Sequence, residues 1–491
     1  MTVHTPYLWQ KDNLQAATNG RWSGEFDAQS CRITTDTRKI EQGDIFLAIK
    51  GENFDGHDYV EMAKEKGAVL AIVSEQVASD LPQLITGDTK KALGLLGKYR
   101  RDAHPDLMVV ALTGSSGKTT TKEMLGHILS QIAPTLITRG NLNNDLGVPM
   151  MLLELSDEHK FAVMELGANH VGEIAYTAGL VRPDVACVLN IGTAHLGEFG
   201  GRANIARAKA EIYSALSEDG VAIVPFGDEF CTLLSQTASN FTDRMLSFGE
   251  QNVPLSQAQL SDEDIQMLSE QGVSSVLMMG DLFADDIDVA TTHSTFSLNT
   301  NIEIDEIESL PVQLPLIGEH NVTNALAASA CAYALGVPLH SIVRGLQSAT
   351  APQGRLTRMA FGEHIVIDDT YNANPTSMLA AAKVLEQEDN AKILVLGDIF
   401  ELGEAAADEH YQLGQNIAPL ALDAIFAVGE NMKHMVRAVN ELRPIATHFE
   451  DKSALLDALR LRLQDGATTI LFKGSRGMKM ETLICDLANL G

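Results

Sequence analysis

The chain has 491 residues, of which 45% are hydrophobic and 21% are charged, and its formal net charge at pH 7 is −29. The length predicts about three domains, and the composition is typical of a folded globular protein. The acidic balance argues against nucleic acid or an anionic membrane surface as the main partner.

The sequence shows no pattern of a membrane span, a signal peptide, or a metal-binding or disulfide motif. No apolar run approaches the roughly 18 residues that predict a membrane span, and the N-terminus lacks a signal-peptide pattern. The five cysteines lie far apart and form no metal or disulfide motif. These features predict a cytoplasmic protein.

The first predicted domain covers residues 1–88. The apolar run at 44–49 predicts a strand, and the polar loop that follows is either a solvated turn or a site for a heterocycle and a phosphate. Upstream, a hydroxyl and a guanidinium suit a phosphate or a ribose. The candidate substrate-binding residues here are Thr37, Arg38, Lys50, Gly51, Phe54, Asp55 and His57.

The second predicted domain, residues 89–350, begins with a strand, a glycine-rich turn and a helix. The apolar run 107–112 predicts a strand buried on both faces, and apolar residues at helical spacing follow Lys118. Such a junction directs backbone N–H groups and a helix dipole at a phosphate. The candidate nucleotide-binding residues are Gly114, Ser115, Ser116, Gly117, Lys118, Thr119 and Thr120.

This turn departs from the full P-loop pattern, because Leu112 stands where the pattern has its first glycine. The alternative is a glycine-rich turn that carries a surface lysine. If the turn does hold a nucleotide, Lys118 would contact its β- and γ-phosphates and the Thr119 hydroxyl would ligate Mg²⁺.

Further strands of this domain are predicted at 161–167, 184–192 and 221–225. Ligands in open α/β sheets lie beyond the carboxyl ends of the strands, so Glu165 and His195 are candidate metal ligands, or else ordinary polar contacts. The pattern degrades at 228–312, which we interpret as a peripheral insertion without chemistry, with a helix start at Ser261. Asn321 and Asn324 then share one helix face and would either cap the helix or bind an adenine edge.

The third predicted domain, residues 351–491, contains a new series of alternating strands and helices. Its strands are predicted at 364–368, 392–397, 424–429 and 469–474. Polar residues follow the first strand at 368–375 and the last strand at 473–477, and both groups should share one sheet edge. This pattern is typical of a small doubly wound domain.

Taken together, these motifs resemble those of the Mur ligases, the ATP-dependent enzymes that form amide bonds in the peptide stem of the bacterial cell wall precursor. The matching segments follow the family's order and span nearly the whole chain. They are 113–120, 164–167, 190–195, 208–211, 320–325, 354–355 and the block that begins at Asp369.

The resemblance implies an α/β fold of three domains: an N-terminal substrate domain, a central P-loop-type parallel sheet and a C-terminal Rossmann-like domain that closes over the nucleotide. It implies ATP and Mg²⁺ as cofactors, and UDP-N-acetylmuramoyl-tripeptide and D-alanyl-D-alanine as substrates. The product would be an amide formed through an acyl phosphate. Separately from the resemblance, we expect a monomer.

The resemblance also implies roles for individual residues. Lys209 would carry a carbamate and bind metal with Glu165, His195 and Thr119. Asn321 would face the adenine, Asp369 the ribose and Arg355 the γ-phosphate, so that Lys118, Lys209, Arg355 and His195 form the catalytic set. The peptide and the dipeptide would be held by Asn143, Asn144, Tyr371, Asn374, Ser475 and Arg476.

Two alternatives remain open from the sequence. One is another ligase of the same superfamily, such as one that adds glutamate to folate or an earlier stem-peptide ligase. The other is a nucleotide-gated binding protein without amide chemistry. The second is disfavoured because Glu165, His195 and Lys209 have no obvious use in a passive sensor.

Overall fold

The computed structural model describes residues 7–30, 32–51, 54–193, 196–254, 275–303 and 306–488. His195 and the helix start predicted at Ser261 lie outside these ranges. The described chain forms three α/β units, each built around its own sheet, as the sequence predicts. The limits after residues 88 and 350 remain predictions. Within the described ranges, no helix is long and apolar enough to cross a membrane.

The N-terminal unit is a five-stranded sheet that is parallel except for its first pair. In spatial order its strands are Arg21–Ser23, Gln83–Ile85, Leu70–Val73, Ile45–Leu47 and Ile33–Thr34. Its helices are Lys11–Thr18 and Val60–Glu65, with 3-10 turns at Thr37–Lys39 and Gly56–Tyr59. Trp9 and Leu14 are buried with Leu93 and Leu96 of the next helix, so this core extends onto residues beyond 88.

The central unit is a nine-stranded sheet. In spatial order its strands are Thr135–Ile137, Phe161–Glu165, Met108–Thr113, Val185–Val188, Val221–Pro225, Met245–Phe248, Leu282–Val289, Ser294–Glu303 and Glu306–Leu314. The helices that accompany it are Thr89–Asp102, Lys118–Ser130, Gly147–Leu152, Glu173–Val181, Leu196–Phe199, Arg202–Ala210, Cys231–Ala238, Glu319–Ala334 and Leu339–Gln347. The first seven strands run parallel, so their carboxyl ends meet at one edge.

The interpretation of 228–312 as a peripheral insertion was wrong for its described parts. Met245–Phe248 and Leu282–Val289 continue the parallel sheet, and the next two strands add to it antiparallel. Phe296 and Leu298 alternate with polar residues and are buried in the central core. One-sided burial of this kind gives an alternating pattern, which is weaker than the continuous apolar runs of the parallel strands. A short antiparallel pair, Glu250–Pro254 with Ser275–Met279, lies beside these strands in the chain.

The C-terminal unit is a six-stranded sheet, parallel except for its first pair. In spatial order its strands are Thr357–Phe361, His364–Asp369, Thr468–Lys473, Ala391–Gly397, Ala424–Val428 and Ala446–Phe449. Its helices are Pro375–Glu386, Ala406–Ile417, Met432–Leu442, Lys452–Arg462 and Glu481–Ala488. The first of these begins with Pro375 because Asn374 caps it and a proline needs no hydrogen bond there.

Candidate active site

The turn between Met108–Thr113 and Lys118–Ser130 has a shape that favours glycine. Gly117 has φ +78°, and a Cβ on it would collide with the side-chain oxygen of Asn324. A Cβ on Gly114 would lie 2.8 Å from Cβ of Leu189. The Nζ of Lys118 donates a hydrogen bond to the Gly114 carbonyl at 2.8 Å, so the lysine lies back along the turn. The predicted strand, turn and helix are therefore present.

Asn190 supports the turn, and sequence reasoning did not select it as a site residue. Its Oδ1 accepts the Ser116 backbone N–H at 3.0 Å, and its Nδ2 donates to the Ser116 carbonyl at 3.1 Å. The signal was available, because Asn190 lies two residues after the buried strand Val185–Val188, in one of the motifs. The two bonds fix the middle of the turn from the neighbouring strand.

A buried carboxylate lies beside the turn. Glu165 ends the strand next to Met108–Thr113 and is 2% exposed. Its carboxylate accepts hydrogen bonds from the Thr119 hydroxyl at 3.1 Å and from the Asn143 amide at 2.8 Å. The adjacent Asn144 caps the backbone N–H of Gly147 at 2.8 Å.

Lys209 is a second buried ionisable group near the turn. It is 2% exposed, and burial together with the nearby Lys118 ammonium holds its pKa well below the usual value. Burial also lowers the pKa of Lys118, against the attraction of Glu165 and with the repulsion of Arg355. Within the described part of the chain, no group of three His, Cys, Asp or Glu side chains could hold a metal ion.

The C-terminal unit contributes an arginine to the same place. The Arg355 guanidinium donates to the Thr119 hydroxyl at 3.0 Å and lies 4.3 Å from the centre of the Tyr371 ring. The amide of Asn374 is 3.5 Å from the Ser115 carbonyl. Thr119, Glu165, Lys118, Lys209 and Arg355 thus form one cluster, which we call the ion cluster, although they come from distant parts of the chain.

A pocket of about 250 Å³ adjoins Arg355. Asn321 lines it, donating to the Ile317 carbonyl at 2.8 Å and accepting from Asn324 at 3.1 Å. Its other walls are Thr292, Pro315, Leu316, Ile317, Ala351, Leu356, Thr357 and Arg358. Thr292 belongs to the stretch that the sequence analysis set aside.

The polar ends of the third sheet meet as predicted. Lys473 donates to the Asp369 carboxylate at 2.6 Å, and burial nevertheless raises the pKa of Asp369. Ser475 accepts the Phe400 N–H at 2.8 Å. The Arg476 guanidinium pairs with Glu481 at 3.2 Å and lies 5.9 Å from the Tyr371 ring.

The loop of the first unit is organised around Asp55. Its carboxylate contacts His57 Nδ1 at 2.5 Å and Lys50 Nζ at 3.1 Å, and these bonds with the His57 backbone hold its pKa at about 2. His57 Nε2 accepts the Ser74 N–H at 2.8 Å, so both ring nitrogens are engaged. Phe54 is 56% exposed and packs on Gly51.

The two upstream candidates lie in a short helical turn. Arg38 pairs with Asp36 at 2.9 Å, and its side chain is exposed. The Thr37 carbonyl accepts a hydrogen bond from Lys66 at 2.9 Å.

Comparison with known proteins identifies the family of the chain. Three family models match in chain order: a Mur ligase family catalytic domain at 32–102, a Mur ligase middle domain at 112–332 and a Mur ligase glutamate ligase domain at 354–476. The UDP-N-acetylmuramoyl-tripeptide–D-alanyl-D-alanine ligase of Escherichia coli is 40% identical over 96% of this chain and 97% of its own length. The chain belongs to the Mur ligase family.

Solved Mur ligase structures share the fold over nearly all of its length. One is the UDP-N-acetylmuramoylalanyl-D-glutamyl-2,6-diaminopimelate–D-alanyl-D-alanyl ligase of Acinetobacter baumannii, 46% identical, with a TM-score of 0.85 and complete coverage of both chains. Another is the MurF ligase of Thermotoga maritima in complex with ADP, 25% identical, with a TM-score of 0.76, covering 93% of this chain and 97% of its own. The predicted family, the three-domain α/β fold and the ligase class are confirmed.

Proposed function

We propose that this Mur ligase uses ATP to join D-alanyl-D-alanine to UDP-N-acetylmuramoyl-tripeptide, a step in making peptidoglycan precursor. The observation that carries the proposal is the ion cluster, in which Arg355 of the C-terminal unit meets Thr119 of the phosphate turn at 3.0 Å. Near-complete alignment with relatives named for this reaction supports the choice of substrates.

The nucleotide would lie along the phosphate turn, between the central and C-terminal units. Gly114 to Thr120 would surround the phosphates with backbone N–H groups, and Lys118 and Arg355 would neutralise their charge. Asn321 would face the adenine in the 250 Å³ pocket. Asp369 would bind the ribose. It lies at the carboxyl end of a parallel strand, where ligands of α/β sheets bind.

The donor set fits Mg²⁺, which prefers carboxylate and hydroxyl oxygens. Glu165 and Thr119 supply both kinds, and their oxygens are 3.1 Å apart. Lys209 would complete the set, because its lowered pKa favours the neutral amine that attacks CO₂, forming an N–C bond and releasing a proton to give an anionic carbamate. His195 is the fourth proposed ligand. When bound, the metal would polarise phosphoryl oxygens.

The reaction has two steps. A terminal carboxylate oxygen of the tripeptide attacks the γ-phosphorus of ATP, and the bond to the bridging oxygen breaks to release ADP. The amine of D-alanyl-D-alanine then attacks the acyl carbon, phosphate leaves, and the amine loses its proton to give the amide. Lys118 and Arg355 would stabilise charge on the transferring group. The C-terminal unit would close over the site and exclude water from the acyl phosphate.

The remaining site residues would position the two substrates. In the N-terminal unit, Thr37, Arg38 and the loop organised by Asp55 would hold the UDP portion. Near the ion cluster, polar and aromatic side chains would hold the tripeptide and the dipeptide. These residues are Asn143, Asn144, Tyr371, Asn374, Ser475 and Arg476.

Product analysis tests the proposal. The protein is incubated with ATP, UDP-N-acetylmuramoyl-tripeptide and D-alanyl-D-alanine, and the product mass and released phosphate are measured. We expect the mass of one added dipeptide and one phosphate per amide. Lys118→Ala should abolish both, whereas Lys98→Ala, which removes an exposed lysine paired with Asp102, should not. Turnover with glutamate or another single amino acid in place of the dipeptide would indicate a different ligase of the superfamily.

A further inference from the structure

Lys122 is a buried lysine that the proposed function does not use. It lies in the helix Lys118–Ser130, and its side chain is 1% exposed. Its Nζ donates a hydrogen bond to the Thr138 carbonyl at 2.6 Å and pairs with the Glu123 carboxylate at 2.8 Å. Burying an ammonium group is costly unless it is paired and hydrogen-bonded. These two oxygen partners therefore fix the position of the Lys122 ammonium.

Helical spacing places Lys122 on the same face of the helix as Thr119. Residues that are three positions apart are neighbours on a helix surface, and Lys122 follows Thr119 by three positions. The Thr119 hydroxyl donates to the Glu165 carboxylate at 3.1 Å. One helix face therefore binds the carboxylate of Glu165 directly and, through Lys122, the chain segment at Thr138.

Thr138 in turn supports the backbone of Glu165. It follows the strand Thr135–Ile137 and is buried. Its hydroxyl accepts the Glu165 backbone N–H at 3.0 Å and donates to the Val163 carbonyl at 3.3 Å. Because Lys122 binds the carbonyl of this same residue, any shift of Thr138 would also move the Glu165 backbone.

The loop that begins at Thr138 returns to Glu165. The Asn143 amide donates to the Glu165 carboxylate at 2.8 Å, and the Asn143 carbonyl accepts the Gly167 N–H at 2.8 Å. Lys122 and Asn143 thus hold the two ends of one loop around the carboxylate.

We propose that Lys122 is a positioning residue that holds Glu165 in place to bind Mg²⁺ beside the nucleotide phosphates. The proposal rests on the proposed metal site at Glu165 and Thr119 and goes beyond it, because Lys122 would contact neither the metal nor the nucleotide. It would act through Thr138, as groups that orient a metal ligand do. A charged donor suits this role, since its hydrogen bonds are about twice as strong as those of neutral donors.

Equilibrium binding of ADP, measured with saturating Mg²⁺ and again with EDTA, tests the proposal without turnover. We expect Mg²⁺ to tighten ADP binding to the wild type by roughly tenfold or more. Lys122→Met replaces the ammonium with an apolar group and should reduce that Mg²⁺ effect at least about fivefold. The affinity for ADP in EDTA should change little, since the hydrogen bonds within the phosphate turn do not involve Lys122.

Arg101→Met is the matched control for the loss of a buried cation. Arg101 is 8% exposed and donates to the backbone carbonyls of Val181, Arg182 and His104 at 3.0, 3.2 and 2.9 Å. The first two of these carbonyls lie just before the strand Val185–Val188, so Arg101 is at the amino edge of the sheet, opposite the phosphate turn. This variant should lose stability in urea, as the lysine variant should, but keep the wild-type Mg²⁺ effect.

Thr138→Val tests the path from Lys122 to Glu165. Valine resembles threonine in shape but cannot accept the Glu165 N–H, so this variant should also weaken the Mg²⁺ effect. Because both substitutions release the same segment, the double variant should lose little more than either single variant. If Lys122→Met did not fold, Thr138→Val alone would decide.

Three results would overturn the positioning role. They are an unchanged Mg²⁺ effect in Lys122→Met or Thr138→Val, an equal loss in Arg101→Met, and losses that multiply in the double variant. A wild-type protein whose affinity for ADP does not respond to Mg²⁺ would instead overturn the proposed metal site.

Discussion

The contact between the phosphate turn and Asn324 gives a quantitative prediction for Gly117→Ala. Gly117 has φ +78°, where an alanine costs about 1–2 kcal/mol. Its new Cβ would also displace the Asn324 side chain, which donates to Asn321 at 3.1 Å. Loss of that hydrogen bond adds about 0.5–1.5 kcal/mol. We therefore expect a total destabilisation of roughly 1.5–3.5 kcal/mol.

Gly336→Ala is the matched control. Gly336 has φ +79° and follows the helix Glu319–Ala334 in the same unit, but a Cβ on it would meet nothing within 4 Å. This variant should therefore carry the backbone cost alone and keep its affinity for ADP. Gly117→Ala should bind ADP at least roughly tenfold more weakly, a loss of about 1.4 kcal/mol, because both the turn and the asparagine pair are displaced.

Urea unfolding and equilibrium binding of ADP measure the two effects. Circular dichroism is the appropriate signal for unfolding, since both tryptophans, Trp9 and Trp22, lie in the N-terminal unit. Adding Asn324→Ala to Gly117→Ala should cost little further stability, because the hydrogen bond from Asn324 to Asn321 is already lost in the single variant. If Gly117→Ala were no less stable than Gly336→Ala and bound ADP equally well, the packing of Asn324 against the turn would be refuted.

Three other predictions concern separate parts of the molecule. Arg355→Ala should lower kcat for phosphate release by about 10²–10³-fold, as loss of a preorganised charge-stabilising donor does, with Lys98→Ala as the unaffected control. Asp55 has a folded pKa of about 2, below the ordinary aspartate value of 3.8, so it stabilises the fold above pH 3.8 and that contribution disappears as the pH falls towards 2. Asp55→Asn should flatten this loss of stability, which tryptophan fluorescence measures. Gly97→Ala should destabilise by about 1–3 kcal/mol in urea, because its Cβ would lie 2.9 Å from Pro149 Cα, whereas Gly179→Ala, with nothing within 4 Å, should be neutral or stabilising.

The parts of the fold that the sequence predicted are those whose signals are local. The strand, turn and helix around Lys118 could be read directly, because buried parallel strands are continuous apolar runs and the turn needs its glycines. The antiparallel strands Ser294–Glu303 and Glu306–Leu314 were not predicted. Strands that are buried on one face only alternate apolar and polar residues, which is a weaker signal than a continuous apolar run. Asn190 and Asn324 belong to motifs that the sequence shows, but both support the phosphate turn from more than 70 residues away in sequence. Asn190 accepts the Ser116 backbone N–H, and Asn324 packs against Gly117.

Some candidate residues also make hydrogen bonds within the protein that the sequence alone does not reveal. Both ring nitrogens of His57 bond within the N-terminal unit, and the Ser475 hydroxyl accepts a backbone N–H. Such bonds can align a loop for a ligand or simply stabilise it, and the motif looks the same in both cases. Their substrate contacts therefore remain predictions that variants of each residue will test.

The ion cluster also resolves an apparent conflict between the protein's charge and its ligand. A net charge of −29 should repel a triphosphate, yet Lys118 and Arg355 lie close to a single buried carboxylate of the ion cluster, Glu165. Surface charges more than about 8 Å away are largely screened at physiological ionic strength, whereas charges inside a cleft are screened much less. The local excess of positive charge therefore dominates at the turn. Carbamylation would turn the neutral Lys209 amine into an anion and convert a site for phosphate alone into a site for phosphate with a divalent cation.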